Sequence, residues 1–190
     1  MNMLAGKGRL VGGALSLGLG IGALSLLAYY LSITDAAAVP EVWAVVRVVA
    51  YLLMFAGPLL IFLPPSVALG LGPLPLLGAG SWALLGYVLL FVGPPAREDA
   101  DFLTYVAFLS LVFVALASAL ALPLGALSRR LLPPAGRMVE MLRSFRQGAL
   151  LSLFAVSLLA MSPLGVLNWL NALLVFTVVA LTEFFFLARD

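Results

Sequence analysis

The chain contains neither cysteine nor histidine among its 190 residues. Without thiols there can be no disulfide, no cysteine nucleophile and no thiolate metal ligand. Without imidazole the usual general base near neutral pH is missing, as are most zinc, haem and iron–sulfur ligand sets. Charge is also scarce: ten Lys and Arg and eight Asp and Glu make up 9% of the sequence. The basic residues are not interleaved with aromatics on a polar surface, so no nucleic-acid partner is expected. No two acidic residues fall together at one depth of the apolar segments, which leaves acid–base and metal chemistry little to work with. The expectation is a non-enzyme with no catalytic residue, no metal and no cofactor. Long polar stretches are missing too, so no soluble domain of any size is expected.

What the chain has instead is apolar length. Hydrophobic residues make up 64% of it, with a mean hydropathy of +1.21. A water-soluble domain of this size needs far more polar surface. Runs of about 18 or more apolar residues, enough to cross hydrocarbon, recur along the chain. The expected fold class is all-α: a polytopic membrane bundle forming one transmembrane domain over residues 1–190. Its six spans are expected near 10–33, 42–63, 76–92, 102–127, 148–162 and 166–187. The first span follows Lys7 and Arg9 and precedes DAAAVP, which resembles a secretory signal. Its apolar stretch exceeds the roughly 7–15 residues of a cleavable signal, so a retained helix is expected.

The charges then sort by side. With the N-terminus in the cytoplasm, Lys7, Arg9, Arg129, Arg130, Arg137, Arg143, Arg146 and Arg189 fall inside. Asp35, Glu41, Glu98, Asp99 and Asp101 fall outside, with Arg97 the one basic loop residue there. This distribution follows the positive-inside rule and predicts a cell-membrane protein with both termini cytoplasmic. The stretch RMVEMLRSFRQ, 137–147, separates on a helical wheel. Arg137, Glu140, Arg143, Ser144, Arg146 and Gln147 fall on one half, and Met138, Val139, Met141, Leu142 and Phe145 on the other. A short amphipathic helix in the cytoplasmic interface is expected there. Its Arg137, Arg143 and Arg146 serve either as an orientation anchor or as a docking face for anionic lipid headgroups or an acidic partner.

Ionisable residues inside spans are candidates for sites. Arg47 is one, either snorkelling to the outer edge or buried as a functional cation. Glu183 is the other. SPLG, 162–165, joins the last two spans as a tight antiparallel hairpin. That register brings Arg146 level with Glu183 as a structural ion pair, and Asn171 level with Ser157 as a hydrogen-bonded pair. The Pro- and Gly-broken segment 63–80 is not expected to form one continuous helix; it is either a greasy cytoplasmic connection or a re-entrant element. Small residues at four-residue spacing, Gly12, Ser16 and Gly20 in the first span and Ala117, Ala121 and Gly125 in the fourth, are expected to mark close helix packing, with Gly18 and Gly22 on a neighbouring row.

The last fifty or so residues, with RSFRQGALLSLF, LNWLNALL and EFFFLAR, resemble the ending of an uncharacterised family of small bacterial multi-pass membrane proteins. The matching positions are Arg146 and Gln147, Trp169 and Asn171, and Glu183 with Phe184 to Phe186. The resemblance implies no activity, but it singles out the C-terminal hairpin as the defining module. Two functions remain open from sequence. One is a non-catalytic membrane subunit or scaffold, with other membrane subunits and the lipid bilayer as partners. The other is a small-solute transporter or substrate-binding membrane component.

Overall fold

Every regular element of the computed structural model is helical among the described residues, which are 3–34, 41–93, 102–131 and 137–189. The helices are α1 (Met3–Ile33), α2 (Val45–Leu69), α3 (Leu74–Tyr87, continued by a π-helical turn at Val88–Val92), α4 (Phe102–Leu131), α5 (Arg137–Met161) and α6 (Trp169–Arg189). Six segments of these are long and apolar enough to cross a membrane. The chain divides into two compact units, Met1–Pro94 and Pro95–Asp190. The junction falls in the sequence GPPAREDAD, the most polar interruption between spans.

In the first unit, α1 lies antiparallel on α2 because small residues let the backbones approach. A Cβ on Gly20 would stand 2.7 Å from Ile61 Cγ1 and 2.9 Å from the Gly57 carbonyl oxygen. A Cβ on Gly57 would stand 2.7 Å from Leu24. Further along the same crossing, Leu27 buries itself with Ala50 and Met54. The expected small-residue row is therefore shifted: Gly13, Ser16 and Gly20 face α2, whereas added side chains at Gly12, Gly18 and Gly22 would meet nothing within 4 Å.

The segment 63–80 is not one continuous helix: it is two helix ends around a four-residue turn, 70–73. Pro64 and Pro65 sit inside α2 rather than ending it. A proline at position 64 deprives the Leu60 carbonyl of its helical N–H partner. Ser16 of α1 supplies the missing donor, its Oγ 2.8 Å from that oxygen. The helix stops at Gly70, which takes the left-handed conformation (φ 62°). The amide of Leu71 then donates to the Ser66 carbonyl at 2.8 Å, and that of Gly70 to Val67 at 3.3 Å. This is a Schellman closure, satisfying carbonyls the helix end would otherwise orphan. Pro75 falls in the first turn of α3, where a missing N–H costs nothing. The hairpin closes with the Phe62 ring against Gly78 and Met54 against Gly86.

In the second unit, α4 and α5 also meet through small residues. A Cβ on Gly148 would lie 2.7 Å from the Ala117 carbonyl oxygen and 3.1 Å from the Ala121 nitrogen. Ala115, Ser118, Ala121 and Ser128 of α4 are buried, as are Ser144 and Ser152 of α5. These serines carry little desolvation cost, because each hydroxyl donates to its own helix: Ser118 to Ala115 and Ser144 to Glu140 at 2.8 Å, Ser152 to Ala149 at 3.1 Å, Ser128 to Gly125 at 3.2 Å.

Residues 137–147 form no separate interfacial helix; they are the opening turns of α5, which runs unbroken to Met161. Between Arg137 and Gln147 there is neither proline nor glycine to break the chain. Gly148 is held in the helix by its contact with α4. The amphipathic face is turned the opposite way from a surface helix. Ser144 is 2% exposed, while Leu142 is 56% exposed. The fifth span accordingly covers Val139–Met161 rather than 148–162. α6 is held more sparsely: only 6% of its span window is buried.

Candidate functional sites

The second unit gathers its polar side chains where α5 meets α6. Arg146 Nε lies 3.3 Å from Glu183 Oε2. Gln147 Nε2 donates to the other carboxylate oxygen, Oε1, at 3.0 Å. The Arg146 guanidinium also rests 4.9 Å from the centre of the Phe186 ring. One carboxylate is thus held by two consecutive residues of α5, and the arginine is sandwiched between an anion and an aromatic face. About two turns deeper, Phe154 and Phe176 meet edge to face with centroids 5.9 Å apart. Both contacts fit one antiparallel register set by the turn after α5, where Gly165 (φ 70°) repeats the left-handed closure seen at Gly70.

Asn171 and Ser157 do not bond. Asn171 Nδ2 donates instead to the Val166 carbonyl at 2.7 Å, and its amide is capped by Asn168 Oδ1 at 2.8 Å. The reason lies in the length of the connection. Residues 166–168 are non-helical and α6 begins only at Trp169. Asn171 is therefore in the first helical turn, where capping uses its polar groups locally. The backbone of Arg137 opens α5, and its side chain lies outside the described residues. Arg143 is half-buried, one turn before Arg146; its Nε is shut off from solvent and has no bond partner among the described residues.

Arg47 occupies a different setting in the first unit. It is the third residue of α2, about 3 Å along the axis from the helix start. It does not snorkel into open solvent: it is 8% exposed. Its guanidinium lies 5.0 Å from the centre of the Phe91 ring. Tyr51, one turn further on, stacks edge-on against Tyr87 (5.6 Å) and Phe91 (5.5 Å). The Tyr51 hydroxyl is buried without a hydrogen-bond partner. The π-helical turn at 88–92 carries Phe91 into this cluster; such turns recur at functional positions.

Sequence reasoning missed Gln147 as a partner of Glu183, although its place beside Arg146 in the hairpin register was a usable signal. It also missed the aromatic surroundings of Arg47, for which the spacing Arg47–Tyr51 on one helix face was the available clue. Among the described residues, no group of three or more Asp, Glu, His or Cys is placed to hold a metal ion. Comparison with protein-family models, curated proteins and solved structures returned no match.

Proposed function

We propose that this chain is a non-catalytic subunit of a membrane assembly, inserted in the cell membrane with both termini cytoplasmic. The observation that carries the reading is the two-sidedness of α1. Its Gly13–Ser16–Gly20 side is occupied by α2, while Gly18 and Gly22, four residues apart, face open space. In lipid, where apolar burial gives helices no reason to associate, such a spacing favours close approach of another helix. The large side chains around it are apolar and outward: Leu15 and Leu19 are exposed by more than half. The absence of native cysteine makes the test clean. Single cysteines at Gly18 and Gly22 are to be crosslinked in native membranes with a short thiol-reactive reagent that also captures lysines. A discrete crosslinked band at both positions, lost when Gly22→Ile or Gly18→Ile respectively is added, is the expected result. Monomer alone at both positions contradicts the proposal.

A second reading, a small-solute carrier, draws on one observation. The buried cation Arg47 shares the Phe91 ring with a tyrosine whose hydroxyl lacks a partner. Solute-dependent protection of the Tyr51 region from hydrogen exchange supports a carrier; the same protection with and without a library of small anions removes it.

A further inference from the structure

We propose that Arg143 binds the phosphate of an anionic phospholipid at the cytoplasmic mouth of α5 and α6. The proposal deepens the membrane placement above and rests on it for the choice of leaflet.

Three observations converge on this residue. The first is its unmet chemistry. Arg143 is half-buried and its Nε is closed to solvent, yet no described residue accepts from it. A buried charged donor without an acceptor is costly, and arginine cannot shed its proton to escape. The neighbouring cation differs in having a counter-ion: Arg146 pairs with Glu183 and lies over the Phe186 ring, although its Nη2 is likewise buried without a hydrogen-bond partner among the described residues. An acceptor arriving from outside the chain would meet the terminal Nη nitrogens of Arg143, because the Nε itself is closed to solvent.

The second is depth. The hydrocarbon core is about 30 Å thick, which takes about 20 residues of helix. Counted back from Met161 at the far end of α5, that distance ends within about a turn of Arg143. Arg143 therefore stands at the hydrocarbon edge, from which its long side chain reaches the phosphates, while Arg146 lies one turn inside and is paired within the protein. Successive turns of one helix present an internal pair and then a half-buried cation with no acceptor for its Nε among the described residues.

The third is surroundings. The outer side of α5 at this level is apolar, with Leu142 56% and Val139 45% exposed. Acyl chains can lie along that side while the headgroup turns in toward Arg143. Basic positions between spans on the cytoplasmic side are of the kind that hold anionic headgroups. The planar guanidinium suits a phosphate oxygen pair better than an ammonium does. A soluble phosphate shares the chemistry but brings no chains to bury against Leu142 and Val139, so the lipid is the favoured source.

The test uses the full-length protein in micelles, by native mass spectrometry. Palmitoyl-oleoyl phosphatidylglycerol and the corresponding phosphatidylcholine are titrated in parallel arms. The wild type is expected to retain phosphatidylglycerol at least about fivefold more tightly, the value of one basic residue near a charged surface. Arg143→Gln is expected to abolish that preference, and Arg143→Lys to restore part of it. Millimolar inorganic phosphate is expected not to displace the lipid. Equal retention of both lipids by the wild type overturns the proposal even if Arg143→Gln fails to fold. So does a preference untouched by Arg143→Gln, or displacement of the lipid by free phosphate. Equal retention with capture of an acidic peptide at Arg143 would assign the residue to a protein partner instead. Micelles have no sidedness, so these outcomes are independent of whether the proposed orientation is right.

Discussion

Ser16 and Pro64 form a pair whose energetics can be isolated. Pro64 removes the donor that would normally serve the Leu60 carbonyl, and the Ser16 hydroxyl takes its place at 2.8 Å. In Ser16→Ala the carbonyl has no substitute from its own helix. Hydrogen bonds between membrane helices average about 0.6 kcal/mol. Stranding a buried backbone acceptor adds to this, and the expected cost is about 1–2 kcal/mol. In a Pro64→Ala background the position-64 amide can donate to Leu60, so Ser16→Ala should then cost only about 0.5 kcal/mol or less. The double-mutant cycle therefore predicts a coupling of about 1 kcal/mol. The assay is reversible unfolding in mixed micelles with increasing denaturing detergent, read by far-UV circular dichroism on all four variants. Equal costs of Ser16→Ala in both backgrounds would refute the idea that the hydroxyl is there to replace the proline's missing donor.

Other contacts give further expectations. Gly20→Leu must collide with Ile61 and the Gly57 carbonyl and should destabilise by about 1–3 kcal/mol, whereas Gly18→Leu, with nothing within 4 Å, should leave the unfolding midpoint of the isolated protein unchanged. Glu183→Ala frees both Arg146 and Gln147 and should cost about 1.5–3 kcal/mol; because α6 is so sparsely buried, hydrogen exchange should show that helix opening ahead of α4 and α5. Tyr51→Phe removes a buried hydroxyl that bonds to nothing and is expected to be neutral or to raise stability by up to about 1 kcal/mol; a clear loss of stability would mean the hydroxyl has a partner, such as a bound solute.

The parts of the structure that could be read in advance are those governed by solvent and by chain geometry. Six apolar runs specify six helices because lipid-facing backbone must satisfy itself. The tight turn after α5 dictates the register that brings Arg146 to Glu183. What could not be read depends on a second helix. Pro64 looks like a breaker until Ser16 arrives from α1 to serve the Leu60 carbonyl that it orphans. Gly12 and Gly13 are equivalent on paper, and only the crossing with α2 selects Gly13. The polar half of 137–147 suggests a helix lying on a surface, but the same wheel suits a span whose polar side faces other helices and whose apolar side faces lipid. Counting from the turn puts Asn171 level with Ser157; three non-helical residues at 166–168 move it into a cap.

The central claim is that lipid surrounds these helices, with the arginine-rich connection between α4 and α5 on the cytoplasmic side. Because the chain has no native cysteine, Ala37→Cys, Ala100→Cys and Ala135→Cys can each be probed alone with a membrane-impermeant maleimide on right-side-out vesicles. The account predicts labelling at 37 and 100 without permeabilisation, and at 135 only after it. Efficient labelling at 135 on sealed vesicles, with 37 and 100 protected, would contradict it.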